Sequence, residues 1–283
     1  MKKLRYFLEY IFVKTWLFIV ESLPLEIASN MGSKVFQVIG KKLKATRTAR
    51  TNLKKTFPNL NDKGIEDIID GVWDNFGRVV AETSTIMKMP QDEFNKHVQI
   101  KGVENLLKFK GKPALIYTAH QANWEFVAKA LIPHDLKVGG VFRKANNRLV
   151  DKIINDIRHL VDVHMIPKGR AGAKELIFAI KNNEQIVMLV DQKMNDGIKV
   201  PFLGRDAMTA PAIATLSLKY DCPIIPLQAI RTGNSNFELI IHPHLDKANK
   251  TVEDIMIEIN NHIGEWVKER PEQWFWLHRR WMD

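Results

Sequence analysis

The chain has a single cysteine, Cys222, so no internal disulfide can form and cysteine usage gives no sign of an oxidising compartment. Cys222 precedes the apolar run Pro223-Ile-Ile-Pro-Leu227, which suits a small core residue rather than an activated thiolate. No stretch is biased enough in composition to read as disordered or repetitive. An uninterrupted apolar run of membrane-spanning length is also lacking, because Leu4 to Leu25 is broken by Arg5, Glu9, Lys14 and Glu21. The same charges, and the want of a small-residue cleavage site, argue against a signal peptide. No recognised nucleic-acid reading module is present, and no pair of histidines has the spacing of a metalloprotease helix.

What remains is a globular chain of 283 residues, long enough for one α/β domain with a helical N-terminal extension. Its net charge of +10 is concentrated at the N-terminal end. Residues 1–56 hold twelve Lys or Arg against Glu9, Glu21 and Glu26, a net +9. A basic block beside apolar residues suits an anionic membrane surface, and nucleic acid is not expected as a partner. For the N-terminal segment three readings stay open: a single-pass anchor, an interfacial helix with Tyr6, Tyr10 and Trp16 at headgroup level, and a helix packed on the protein's own core. Residues 1–28 are therefore set apart, 29–110 read as a helical N-terminal part, and 111–283 as an α/β catalytic part of the same domain.

Apolar periodicity predicts helix over Met31 to Pro58, with Lys41, Lys42, Lys44, Arg47 and Arg50 on a basic face, and again over Ile65 to Met87. From Pro113 short apolar runs alternate with amphipathic stretches. Candidate strands are Ala114 to Thr118, Val138 to Phe142, Ile186 to Val190, Ile224 to Ile230 and Phe237 to Ile241. Candidate helices are Trp124 to Leu131, Leu149 to His159, Ala173 to Lys181, Ala210 to Tyr220 and Val252 to Glu269, the fourth capped by Thr209 with Pro211 near its start. That alternation predicts an α/β fold whose largely buried central sheet is flanked by helices.

Polar residues just past a strand tend to sit at the ligand-binding edge of such a sheet. Two places qualify, His120 after the first strand and Asp191-Gln192 after the third. Histidine is the natural general base near neutral pH, and a carboxylate on its other nitrogen would fix its tautomer. Glu125, five residues on, converges with His120 if the histidine lies in the turn and the glutamate in the first helical turn. The plainer reading, a surface histidine beside a glutamate that stabilises a helix dipole, stays open from these two residues alone. Arg143, after the second strand, can clamp phosphate beside the histidine or be an exposed loop residue. Arg170, in the basic turn Lys168-Gly-Arg170, has the same two readings.

The order of these blocks resembles the lysophospholipid acyltransferase superfamily, and within it the lipid A late acyltransferases, over nearly the whole length. The resemblance is carried by the N-terminal apolar segment, Asn52-Leu-Lys-Lys-Thr-Phe-Pro58, His120-x4-Glu125, Val141-Phe-Arg143-Lys-Ala-Asn146-Asn147 with Arg158 downstream, Asp191-Gln192 with Gly197 to Gly204, and Pro271 to Trp281. The Trp-rich C-terminal strip is its most specific part, read as structural for the tryptophans and open for Arg279 and Arg280. Glu125 stands where much of the superfamily has Asp, and Asp191-Gln192 replaces the glycerolipid branch's Pro-Glu-Gly, both favouring the lipid A branch.

The resemblance implies an O-acyltransferase passing a fatty acyl chain from acyl carrier protein or acyl-CoA to a hydroxyl of a Kdo-bearing, phosphorylated lipid A precursor in lipopolysaccharide biosynthesis. It implies His120 and Glu125 as catalytic residues, and Arg143, Asn146, Arg158, Arg170, Asp191 and Gln192 as substrate-binding residues. No metal or organic cofactor is implied. The location implied is the cytoplasmic face of a bacterial inner membrane, held in single-pass or peripheral fashion. The rival readings are an acyltransferase for a glycerolipid, aminolipid or mannosylated lipid, and a non-catalytic binder of anionic membrane.

Overall fold

In the computed structural model of the chain, residues 2–282 are described, Arg170 by its backbone alone. The N-terminal part is helical: α1 (Lys2–Glu21), α2 (Leu25–Gly40), α3 (Lys44–Thr56), α4 (Asp62–Lys88) and α5 (Gln91–His97). The α/β part follows as β1 (Val98–Lys101), α6 (Glu104–Leu107), β2 (Ala114–Thr118), a 3₁₀ turn at Trp124–Phe126 leading into α7 (Val127–Leu131), β3 (Val138–Phe142), α8 (Arg148–Arg158), β4 (His164–Pro167), α9 (Arg170–Lys181) and β5 (Gln185–Leu189). It closes with a hairpin of β6 (Lys193–Phe202) and β7 (Arg205–Thr209), then α10 (Ala212–Tyr220), β8 (Ile224–Arg231), β9 (Phe237–Ile241) and α11 (Val252–Glu269).

Seven strands form the central sheet in the order β1-β9-β8-β2-β5-β3-β4. All neighbours are parallel except β8 and β9. The central strands β2 and β8 are buried along their whole length, because helices cover both faces and leave no side of the sheet for water. One core beneath α10, α11 and the C-terminal strip joins Leu115, Tyr117, Ile186 and Met188 to Trp266, Trp274 and Trp276. The opposite core gathers Ile116, Val187 and Ile225 with Phe94, Phe126 and Leu131.

Helix α4 is the strut of the N-terminal part. Asn61 caps it, its side chain accepting from Gly64 N–H at 2.8 Å. At Gly77 it meets Gly32 of α2 backbone to backbone, so a Cβ at either position would strike the other helix's carbonyl.

Among the described residues no helix is long and apolar enough to cross a membrane. Helix α1 instead lies against α4 and α8. Its Trp16 Nε1 donates to Val80 O at 3.3 Å, and Asn147 Nδ2 donates to Tyr6 O at 2.9 Å and to Glu9 Oε2 at 2.8 Å. Its exposed surface mixes charged residues such as Lys2, Lys3, Arg5 and Lys14 with large apolar ones, Phe18 at 77%, Leu4 at 64% and Phe12 at 61% exposure.

Several expectations shift. The stretch from Met31 to Pro58 is two helices, broken at Lys41–Leu43. The helix expected from Trp124 starts as a 3₁₀ turn, since Asn123 and Ala122 hold the chain in a tight corner. Strand β1 brings the sheet into the part read as helical, and β4 and the β6–β7 hairpin were not expected at all. Lys193, Asn195, Asp196, Gly197 and Lys199 give β6 no alternation to read; the hairpin forms because its strands pair with each other and pack on α11. Thr209 does not cap α10, whose N-cap is Pro211 with no side-chain bond. It ends β7 instead, donating to Ala207 O at 3.1 Å and accepting from Arg280 Nη2 at 2.7 Å.

Candidate active site

β2 and β5 are hydrogen-bonded neighbours with Thr118 opposite Leu189. Two residues beyond that pair on each strand stand His120 and Asp191, brought side by side by the register. His120 Nδ1 lies 2.7 Å from Asp191 Oδ1, and His120 backbone N–H donates to Asp191 Oδ2 at 2.8 Å. A second donor reaches the same Oδ2, Trp274 Nε1–H at 2.8 Å. Asp191 is completely buried, and burial pushes its carboxyl up; the charge of His120 and its hydrogen bonds outweigh that and hold the group far below the usual carboxylate range. With the carboxylate ionised, Nδ1 of His120 carries the proton and Nε2 presents its lone pair. Gln192 Nε2 lies 3.1 Å from it.

Glu125 is therefore not the carboxylate that orients His120. Its acid is gripped on the other side by Arg158 at the end of α8, with Nε 3.2 Å from Oε2 and Nη2 3.0 Å from both oxygens. Trp124 Nε1 adds a third donor at 3.2 Å. The reason is local backbone geometry. Ala122 adopts φ +51°, Asn123 accepts from Glu125 N–H at 3.3 Å, and the 3₁₀ turn that follows aims Glu125 towards α8. The ion pair uses Arg158 Nε and Nη2 and leaves Nη1 outside it.

The corner at residues 120–125 is pinned from behind by groups the sequence did not single out. Glu82 and Arg231 form a buried bidentate pair at 2.7 and 2.9 Å. Asn123 Nδ2 donates to Glu82 Oε2 at 3.1 Å, and Asn75 Nδ2 donates to Ala122 O at 3.1 Å. The C-terminal strip adds a strand-like rung: Ala122 N–H donates to Gln273 O at 3.0 Å, and Phe275 N–H to His120 O at 2.9 Å. A glutamate at position 82, on the apolar stripe of the predicted helix, was the one available hint of this network.

In front of the corner opens a cavity of about 900 Å³. His120, Glu125, Arg158 and Gln192 are among its polar lining residues, while residues such as Val163, Ile166, Leu176, Val187 and Ile213 make much of the lining apolar. Arg143, Lys144, Asn146 and Lys168 line its rim, with Arg143 and Asn146 exposed. Asn147, next to them, caps α8 through Leu149 N–H at 3.0 Å and is the residue tied to α1. The side chain of Arg170 lies outside the described residues; its backbone opens α9. Arg280 does not reach the surface. It is fully buried, with Nη1 on Met208 O at 3.0 Å and the guanidinium 4.8 Å from the Phe202 ring centroid, while Arg279 is exposed.

Such an arrangement offers an imidazole held in one tautomer, with a guanidinium lining the same largely apolar cavity. The model of the family described as bacterial lipid A biosynthesis acyltransferase matches residues 1–283. A lipid A biosynthesis acyltransferase of Haemophilus influenzae is 24% identical over 272 residues, 93% of this chain and 84% of that protein. The lipid A biosynthesis palmitoleoyltransferase of Escherichia coli is 21% identical over 272 residues, 94% of this chain and 87% of its own. The same organism's lipid A biosynthesis lauroyltransferase is 22% identical over 288 residues, 98% and 92%. Among solved structures, the 1-acyl-sn-glycerophosphate acyltransferase of Thermotoga maritima aligns with a TM-score of 0.43 and 14% identity, over 88% of this chain and 99% of that one.

Proposed function

This chain belongs to the bacterial lipid A biosynthesis acyltransferase family, and we propose that it moves a fatty acyl chain from the thioester of acyl carrier protein or acyl-CoA to a hydroxyl of a Kdo-bearing lipid A precursor. The observation that carries this reading is His120 on the wall of a largely apolar cavity, with Nδ1 on buried Asp191 at 2.7 Å.

The acceptor hydroxyl displaces Gln192 from Nε2 of His120 and gives up its proton there as its oxygen attacks the thioester carbonyl carbon. Asp191 keeps the imidazole in the tautomer that can receive that proton, and its charge stabilises the imidazolium that forms. The tetrahedral intermediate then expels the thiolate, which takes the proton back from Nε2. Arg158, held by Glu125, turns Nη1 towards the developing oxyanion or a phosphate of the acceptor. The acyl chain lies along the cavity's apolar lining. Arg143, Lys144 and Lys168 on the rim suit an acidic carrier and a phosphorylated lipid alike.

The open apolar side of α1, with Phe12 and Phe18, lies in the headgroup region of the inner membrane's cytoplasmic leaflet, a peripheral rather than spanning attachment. Purified protein given acyl carrier protein loaded with a radiolabelled acyl chain, together with a lipid A precursor, a lysoglycerolipid or an aminolipid, tests the reading. Label on the lipid A precursor alone is expected, and label on another acceptor in its place would overturn it. Mass spectrometry of lipid A from cells with and without the protein then identifies the chain by the missing mass.

A further inference from the structure

Asp191 Oδ2 accepts two hydrogen bonds, from His120 N–H and from the indole of Trp274, both at 2.8 Å. The first comes from the residue it orients and moves with it. Trp274 comes from a separate element and is therefore the outside support of the pair. It is 1% exposed and wedged among Phe202, Trp276, His278 and Trp281, with ring centroids between 4.7 and 6.4 Å away, so its N–H has no freedom to follow a wandering carboxylate. Its neighbours in the strip are bonded to the backbone of His120 and Ala122, which locks the indole's position to the same corner.

We propose that Trp274 is a positioning residue for acyl transfer: its indole N–H holds Asp191 in the one rotamer that places Oδ1 on His120. This rests on the reading of His120 and Asp191 as the proton-transfer pair. Without the N–H the carboxylate can swing, and the imidazole loses its fixed tautomer and aim; Trp274 itself is not among the residues that line the cavity, so the groups that bind the acyl chain and the acceptor's charges stay in place. The effect falls on kcat and not on KM.

The test is a double-mutant cycle with Trp274→Phe and Asp191→Asn, each variant scaled to its folded fraction by near-ultraviolet circular dichroism. Trp274→Phe is expected to lower kcat about tenfold with KM unchanged, in keeping with one hydrogen bond to a charged group. In the Asp191→Asn background the same change should then cost less than about twofold, because the partner it acts through is already compromised. Trp276→Phe, from the same cluster but bonded to Pro271 O, controls for lost packing and should lower stability while leaving kcat unchanged. Trp274→His puts a ring N–H back near the position of the indole's and should recover most of kcat despite its smaller ring. Equal loss in both backgrounds, or Trp276→Phe matching Trp274→Phe in kcat, overturns the inference. Full activity of Asp191→Asn would instead overturn the proton-transfer reading itself. If Trp274→Phe does not fold, Trp274→Met against Trp276→Met, both without a ring N–H, makes the same comparison: a kcat loss confined to the first supports the inference and equal losses overturn it.

Discussion

His120 and Asp191 lie side by side because each stands two residues past a paired strand end, and the 2.7 Å contact between Nδ1 and Oδ1 follows from strand register. Neither residue needs a special loop to find the other. A parallel sheet presents the residues just past its strands at the carboxyl edge, and here two adjacent strands each deliver one half of a pair.

Asp191→Asn should lower kcat by on the order of 10³ to 10⁴-fold with little change in KM, as expected when a buried aspartate that fixes a catalytic histidine's tautomer is made neutral. The variant also bears on stability. Because the folded carboxyl sits far below its ordinary value, its stabilisation is fully present above the unfolded value and fades as pH falls below it. Thermal melts of the wild type should therefore exceed those of the variant at neutral pH, and the gap should narrow progressively as the pH falls below about 4 towards the depressed folded value. A gap independent of pH would refute the assignment.

Arg158→Lys should cost about 10 to 100-fold in kcat/KM although the charge is kept. A lysine cannot grip both oxygens of Glu125 as the guanidinium does. Glu125→Gln should produce a comparable loss, and the double variant should lose little more than either single one. Strictly multiplicative losses would mean that the two residues act apart.

Glu82→Gln or Arg231→Met should destabilise the fold by about 3 to 5 kcal/mol, since each leaves the other charge buried without its partner. Urea unfolding monitored by tryptophan fluorescence measures this. Activity should fall further than the folded fraction does, because Asn123 loses its anchor behind the corner at residues 120–125. If activity simply tracks the folded fraction, the network supports the fold without tuning the site.

Gly140→Ile should shift donor preference towards shorter acyl chains. Gly140 lines the cavity, and even a Cβ there would sit 3.4 Å from Val163 Cγ1, so a branched side chain narrows the recess. Competition between donors of graded length, read by mass spectrometry of the product, checks this. An unchanged preference would place the acyl chain elsewhere.

Much of the central fold was legible before any coordinates. Ala114 to Thr118, Val138 to Phe142 and Phe237 to Ile241 are strands at the expected limits, and Val252 to Glu269 is a helix at the expected limits. The strands are short apolar runs and the helix an amphipathic stretch, patterns that report burial directly. The β6–β7 hairpin was not legible, because its stability comes from pairing and from the face of α11, neither of which leaves a pattern in its own residues. Thr209 read as a helix cap from its place before Ala-Pro211, yet tertiary contact with Arg280 engages it instead. For the site, the residue types and strand-end positions of His120 and Asp191 could be seen, but not their contact. That needed β5 to be the neighbour of β2, a fact of sheet order.

The amino-acid sequence by itself determined which side chains this protein has for chemistry and which segments bury themselves, because residue identity and apolar spacing are local properties. Only the tertiary structure decided the pairings: Asp191 and not Glu125 on His120, Arg158 on Glu125, and an indole from the C-terminal strip behind the aspartate. The physical reason is that a hydrogen bond acts over about 3 Å and depends on direction. Residues far apart in the chain meet at that range only when sheet order, backbone corners and packing have all been set.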